Sequence, residues 1–184
     1  MYKTLITLAA ASALLAACGE QDPVNATQDA ASVPVGQTSA MTLGANTVDG
    51  YVTNAAMGDM YEIQAAEMAL ERSQNAEVRA LAQTILDDHT VASEALRNVV
   101  MTQQIDMEMP TELDERRQGL LDNLRDADNF DEVFVDQQVA AHQEALTLHK
   151  GFADHEDAPE LAAHAANAVP KLEAHLEQAR ALDN

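Results

Sequence analysis

The sequence has few aromatic residues: Phe, Trp and Tyr make up 3% of its 184 residues, and Trp is absent. Hydrophobic residues still account for 47% of the chain, and alanine dominates this class. Sheets favour aromatic and β-branched side chains, whereas alanine has the highest helix propensity. The composition therefore favours close-packed helices, and the length allows one domain with flexible appendages.

Positive charge is also scarce. There are 10 Lys and Arg residues against 31 Asp and Glu residues, which gives a formal net charge of -21. Such a surface repels a phosphate backbone and anionic lipid. We therefore expect no nucleic-acid partner and interpret the acidic surface as a solubilising one.

Cysteine occurs once, at Cys18, which excludes an internal disulfide and a cysteine-based metal site or nucleophile in the folded part. The sequence also has no G-x-S-x-G motif and no glycine-rich phosphate loop. No catalytic residue is predicted, and catalysis is not the expected function.

The first eighteen residues have the layout of a lipoprotein signal peptide. Lys3 precedes an apolar run from Leu5 to Ala17, which is shorter than the roughly 20 residues that span a bilayer. The run closes in Leu-Ala-Ala-Cys at residues 15–18, which resembles the lipobox, where cleavage precedes an acylated cysteine. We expect lipidation of Cys18; the alternative is an ordinary signal peptide with an incidental cysteine.

The next segment is predicted to be a tether. Up to residue 46 it contains Pro, Gly and scattered polar residues, no Lys or Arg, and no sustained periodicity, which is typical of disorder. Gly19 stands where lipoproteins retained in the inner membrane carry Asp, which favours the periplasmic side of the outer membrane. The predicted organisation is a signal peptide at 1–17, lipidated Cys18 and tether at 18–46, and a helical domain at 47–184.

From residue 47 onward, apolar residues recur at three- and four-residue spacing, which predicts helices and no strand. Four long helices and one short helix are expected: about Val48–Ser73, a helix capped by Asn75 that runs through Val99, about Leu113–Arg125, a helix capped by Asp128 or Asn129, and a helix capped by Asp157. Pro170 is expected to kink the last helix. One apolar stripe per long helix predicts an all-α four-helix bundle with a short extra helix between its second and third helices.

Four polar residues interrupt these stripes near mid-helix, one on each long helix: Glu62, His89, His142 and His175. Their nitrogen and oxygen donors suit Zn, Cu(II), Fe(II) or Ni(II). Helical rise places Glu62 level with His89 within roughly 3 Å but offsets His175 from His142 by about 7 Å, which leaves the fourth ligand open. The alternative is a hydrogen-bonded core cluster in which His89 donates to Glu62. Asp88 is expected on the solvated surface.

A second histidine group lies near the turn between the third and fourth long helices. It consists of His149, His155 and His164, with Glu160 one helical turn from His164. This group is either a surface metal site or a set of solvated loop residues. Thioether ligands for copper are offered by Met57, Met60, Met101, Met107 and Met109. Filling gaps in an alanine-rich core is the alternative role of these methionines.

Several short motifs occur together and in order: Gly58-x3-Glu62, Val78-x3-Ala82 before Asp88-His89, Phe130-Asp131 before Gln138-x3-His142, and Pro170-x4-His175-Leu176. Over roughly residues 47–182 the chain resembles the family called domain of unknown function 4142. The resemblance implies a ferritin-like helical bundle in a bacterial envelope protein and supplies no established reaction. Di-iron bundles carry Glu-x-x-His motifs, but none of the three mid-helix histidines follows a Glu by three residues, so a di-iron oxidase is disfavoured.

Three functions remain open on these grounds. The leading hypothesis is a lipid-anchored periplasmic binding module without catalysis, whose mid-helix Glu and His residues bind a divalent transition metal. The second is an envelope structural or protein-interaction module with no ligand. The third is a metalloenzyme or a metal-storage protein.

Overall fold

The computed structural model of the protein describes residues 44–183, which form five α-helices and no β-strand. The helices are α1 (Val48–Arg72), α2 (Ala76–Thr102), α3 (Glu115–Asp126), α4 (Phe130–Phe152) and α5 (Pro159–Leu182). The predicted all-α class is confirmed. No helix in the described part is long and apolar enough to cross a membrane. The predicted signal peptide, Cys18 and most of the predicted tether lie outside the described residues.

Polar caps define the starts of the first two helices. The Thr47 hydroxyl accepts a hydrogen bond from the backbone N–H of Gly50 at 3.1 Å, and the Asn75 side chain accepts one from the N–H of Glu77 at 2.9 Å. Each contact satisfies a backbone donor that has no partner inside its helix. The cap predicted at Asn75 is therefore confirmed, and only residues 73–75 separate α1 from α2.

The last two helices begin without side-chain caps. Asn129 occupies the capping position of α4, as predicted, but its side chain makes no capping bond. The cap predicted at Asp157 is wrong, because α5 begins at Pro159 with Ala158 in the capping position. Proline suits this place since its φ is close to the helical value and it has no N–H to satisfy. α5 then continues through Pro170, which does not end the helix.

The four long helices pack side by side: α1 packs on α2 and α4, and α5 packs on the same two helices. Tyr51 near the start of α1 stacks on Phe152 at the end of α4, while Arg72 at the end of α1 lies over the ring of Phe130 at the start of α4. α1 and α4 are therefore antiparallel. The connection 103–129, which includes α3, consequently runs the length of the helices, and α3 packs on α1 and α4.

The apolar core divides into two clusters with buried polar residues between them. On α2, for example, buried His89 lies between Ile85 of the first cluster and Leu96 of the second. Buried alanines contribute to both clusters, and their small side chains let the helices approach closely. The fold therefore places a polar region about half-way along the helices, where the mid-helix histidines lie.

Candidate metal centre

Three buried histidines from three helices meet in this polar region: His89 of α2, His142 of α4 and His175 of α5. One ring nitrogen of each lies within 4.8 Å of those of the other two. Glu62 of α1 is buried beside His142. We call these four residues the histidine layer. The structure brings together all four predicted ligands, and the three imidazoles are close enough for one ion to contact each of them.

The predicted depth offset does not separate His142 from His175. Nε2 of His142 lies 3.2 Å from Nδ1 of His175. The predicted offset was obtained by counting residues from the turn, which assumes that the last helix starts level with the end of the preceding helix. Residues 153–158 lie between α4 and α5, so the two helices need not start and end at one level. The offset of about 7 Å is therefore wrong.

Two carboxylates form hydrogen bonds with His89 and His175 on the side of each ring that faces away from the other histidines. Nδ1 of His89 lies 2.8 Å from Oδ1 of Asp59, and Nε2 of His175 lies 3.0 Å from Oδ2 of Asp88. An ionised carboxylate only accepts, so these nitrogens donate, and the opposite nitrogen of each neutral ring keeps its lone pair. Carboxylates in this outer position orient metal-binding imidazoles and raise their basicity.

The contacts of both carboxylates differ from those expected from the sequence. Asp88 is half-buried rather than fully solvated, because α5 packs on α2 and brings His175 to its carboxylate. His89 donates to Asp59 and not to Glu62. Asp59 lies three residues before Glu62 and therefore on the same face of α1, which was the one sequence signal that pointed to it.

His142 is oriented by its own helix. Its Nδ1 donates to the backbone carbonyl of Gln138 at 2.9 Å, so the neutral ring carries a lone pair on Nε2. That lone pair faces the lone pair on Nδ1 of His175 at 3.2 Å. Two lone pairs at this distance repel each other until a proton or a metal ion lies between them.

A proton is disfavoured at that position. Burial lowers the pKa of His142 well below its ordinary value, and charge on His89 and His175 lowers it further. The pKa of His175 is also lowered, first by burial and then by His89, although Asp88 acts in the opposite direction. Both rings are therefore neutral near pH 7, which is the form that binds metal ions.

His89 and Glu62 bring unpaired atoms to the histidine layer. Nε2 of His89 and Oε2 of Glu62 are buried and have no hydrogen-bond partner among the described residues. Oε1 of Glu62 lies 3.6 Å from Nδ1 of His142, which is too long for a hydrogen bond. Buried polar atoms without partners are rare in folded proteins. Nε2 of His89 is therefore available to bind an ion, whereas the side chain of Glu62 also interacts with the buried Gln138 side chain, which lowers the Glu62 pKa.

The pKa values of His89 and Glu62 are both raised, for different reasons. Burial raises the pKa of Glu62 to about 7, although the charge on His89 lowers it. Burial lowers the pKa of His89, but the hydrogen bond to Asp59 and the nearby carboxylates outweigh burial, and the net shift is upward. As the pH falls, protonation therefore competes with metal binding first at His89, and only at lower pH at His142 and His175.

A cavity of about 50 Å³ adjoins the histidine layer and is lined in part by Asp59, Glu62 and His89. This volume holds roughly three water molecules, or an ion with some of its water. Arg117 of α3 also lines the cavity and pairs with buried Glu144 at 3.1 Å. The cavity provides room for solvent at coordination positions that the histidines leave open.

The family model described as Domain of unknown function (DUF4142) matches residues 33–182. The chain belongs to the DUF4142 family. The resemblance inferred from the ordered motifs is thereby confirmed. No curated protein matches the sequence.

A solved structure, CopM in the Cu(II)-bound form, is similar to this DUF4142 protein. The TM-score is 0.63 at 21% sequence identity, and the alignment covers 73% of this chain and 93% of the CopM chain. At this identity the similarity establishes a shared fold, and the function has to be argued from the site.

In the structure of this DUF4142 protein, the residues of the second predicted histidine group do not form one cluster. His149 and His164 both contact the hydroxyl of Tyr51, at 3.2 Å and 2.8 Å. His155 stacks on the last residue of α4, and Glu160 is exposed. The group is therefore not the surface cluster expected near the turn, and Tyr51, which contacts two of its histidines, was not among the predicted residues.

The methionines considered as copper ligands lie in packing or surface positions. Met107 and Met109 pack on the apolar cluster that contains Leu96, whereas Met101 is 66% exposed. The sulfur of Met57 lies 3.7 Å from the guanidinium of Arg117. Only the positions of Met107 and Met109 fit the gap-filling role of methionine in an alanine-rich core.

Proposed function

We propose that this DUF4142 protein is a binding module for a divalent transition-metal ion, held by His89, His142 and His175 with Glu62 beside them. The observation that carries the proposal is the contact at 3.2 Å between Nε2 of His142 and Nδ1 of His175, which the outer hydrogen bonds of both rings leave as two facing lone pairs. The carboxylate hydrogen bonds on the outer sides of the other rings support it.

Cu(II) is the first metal to test. The histidine layer offers imidazole and carboxylate donors and no sulfur, which suits Cu(II), Zn(II) and Ni(II). Among divalent first-row ions, Cu(II) binds a given site of this kind most tightly. The solved form of CopM, which shares the fold, is Cu(II)-bound.

We infer further that the four long helices form a ferritin-like four-helix bundle. Support comes from the short connections between α1 and α2 and between α4 and α5, and from the long connection 103–129. Bundles of this kind build metal sites in the core from side chains on facing helices. The histidine layer has that position.

We infer that lipidation of Cys18 anchors the module to the periplasmic side of the outer membrane. The support is the lipobox-like sequence at residues 15–18 followed by Gly19. The module binds its metal without catalysing a reaction. An envelope structural or interaction module with no ligand is the alternative, and the hydrogen bonds that already link α1 to α2 and α2 to α5 favour it.

Thermal unfolding of the purified, untagged chain tests the metal proposal. An ion that binds only the native state stabilises it by about 2.7 kcal/mol at a hundredfold excess over Kd, so the Tm rises with Cu(II) and falls with chelator. His89→Ala reduces this shift, whereas His155→Ala, outside the histidine layer, keeps it. If the Tm of the wild type does not change with Cu, Zn, Ni or Fe, the proposal is contradicted and the structural module is favoured.

A further inference from the structure

A second group of donor atoms meets at the hydroxyl of Tyr51, near the start of α1. The hydroxyl oxygen lies 2.8 Å from Nδ1 of His164 on α5 and 3.2 Å from Nδ1 of His149 on α4. Tyr51 and His149 are buried, and His164 is half-buried. Three helices thus bring one oxygen and two nitrogens to a spacing that a single metal ion can bridge.

The outer contacts of this Tyr51 group hold its donor atoms in place. Nε2 of His164 donates to the backbone carbonyl of Ala92 on α2 at 3.2 Å, so Nδ1 of the neutral ring carries a lone pair that faces the Tyr51 hydroxyl. The Tyr51 ring stacks on Phe152 with 4.1 Å between centroids. These neighbours orient the rings but do not contact the Tyr51 oxygen or the Nδ1 atom of His164, which face each other.

The Tyr51 group is separate from the histidine layer. His149 follows His142 by seven residues on α4, which is two helical turns or about 10 Å along the axis. The two groups share no residue. A ligand of one group therefore does not have to be a ligand of the other.

A groove of about 420 Å³ between α2 and α5 reaches His164 of the Tyr51 group. His164 lines this groove together with Asp88 and Glu160, and Lys171 in the same wall is paired with Asp88. Carboxylates beside an opening raise the local concentration of cations. None of the four residues of the histidine layer lines this groove, so it gives His164 a separate opening to solvent.

We propose that Tyr51, His149 and His164 form a second metal site, for a divalent ion that accepts a phenolate ligand, with Cu(II) as the probe. Burial raises the pKa of the Tyr51 hydroxyl, and Asp59 raises it further, so the charge of the bound ion has to displace the proton. Binding breaks the O–H bond of Tyr51 and forms an oxygen–metal bond, and the proton leaves to solvent. The ion stays divalent, and no electron is transferred. This site goes beyond the proposed function, because none of its ligands belongs to the histidine layer.

Titration of the full chain with Cu(II), in a Cys18→Ala background that removes the only thiol, tests the second site. We expect two equivalents to bind, with a visible charge-transfer band from phenolate to Cu(II). Tyr51→Phe loses the band and one equivalent but keeps the ring that stacks on Phe152. Tyr61→Phe is the matched control, because Tyr61 is also buried on α1 and its hydroxyl donates to Gln137 at 2.9 Å. This control keeps the band and both equivalents.

His89→Ala distinguishes failure of this proposal from failure of the proposed function, since it removes the equivalent in the histidine layer and leaves the band. If Tyr51→Phe does not fold, His164→Gln is the second variant, and loss of the band is again expected. A wild-type titration without the band, or a band that Tyr51→Phe retains, overturns the second site. The Tyr51 group would then be a hydrogen-bond network only.

Discussion

Nε2 of His142 and Nδ1 of His175 face each other at 3.2 Å in the middle of the protein, and the outer hydrogen bonds of the two neutral rings leave both nitrogens without a proton. The proton of each neutral ring is on its outer side, where it is donated to the carbonyl of Gln138 and to Asp88. A change of tautomer would relieve the repulsion only by breaking one of these outer bonds. A bound metal ion relieves it and keeps both.

Cu(II) binding by the histidine layer should weaken as the pH falls. A protonated imidazole cannot bind a metal ion. The pKa of His89 is raised while those of His142 and His175 are lowered, so the first competing proton is the one on His89. We expect the apparent Kd to rise about tenfold per pH unit once His89 is protonated. Competition titrations from neutral to mildly acidic pH measure this, and a constant Kd would argue against imidazole ligands.

Asp59→Asn removes the charge beside Nδ1 of His89 and keeps the size of the side chain. Outer partners of metal-binding histidines contribute about 10- to 100-fold to metal affinity, and we expect a loss in this range. Asp87→Asn is the matched control, since Asp87 is an exposed carboxylate on α2. If Asp59→Asn and Asp87→Asn bind Cu(II) equally well, His89 is not a ligand oriented by Asp59.

Glu62→Gln should stabilise the metal-free protein in mildly alkaline buffer and leave it unchanged in acid. Burial raises the pKa of Glu62 from 4.5 to about 7, so the folded state binds more protons than the unfolded state between these values. Stability therefore falls as the pH rises through this window, by at most about 3 kcal/mol, and the neutral amide removes that loss.

Urea unfolding of Glu62→Gln above and below this pH window measures the effect. Glu67→Gln, which changes an exposed carboxylate on the same helix, is the control and should show no such dependence. An equal gain in stability on both sides of the window would mean that Glu62 is not buried as a high-pKa carboxyl group.

Cys18→Ala tests the proposed anchor. Acylation requires the thiol of Cys18, the only cysteine in the chain, so the variant should be a soluble or uncleaved product. Several acyl chains anchor a protein firmly, and the wild type should remain with membranes through a salt wash. Cell fractionation measures this, and wild-type protein free in the periplasmic fraction would rule out the anchor.

Local sequence signals were sufficient for most of the helices. Asn75 marks the start of α2, and the predicted end of the first helix at Ser73 lies one residue beyond the observed end at Arg72. Caps and apolar spacing act within a turn or two, so they can be interpreted without the tertiary structure. The same spacing identified His89 and His142 as mid-helix residues of the core face, and both are buried.

The contacts between helices could not be predicted in this way. Asp59, Asp88 and Tyr51 reach their histidines through the rotation of one helix against another, which spacing within a helix does not determine. Tyr51 precedes Glu62 by 11 residues and therefore lies near the same face of α1, which was a usable signal. The two histidines at its hydroxyl became apparent only from the packing of α4 and α5.

Pulsed electron paramagnetic resonance of the Cu(II) complex of Tyr51→Phe most directly tests metal binding by the histidine layer. In this variant we expect the histidine layer to be the occupied site, with three imidazoles, from His89, His142 and His175, coupled to one ion. His142→Ala should reduce that number to two, whereas His155→Ala should leave it at three. A spectrum without imidazole coupling, or one that His142→Ala does not change, would contradict metal binding by these three histidines.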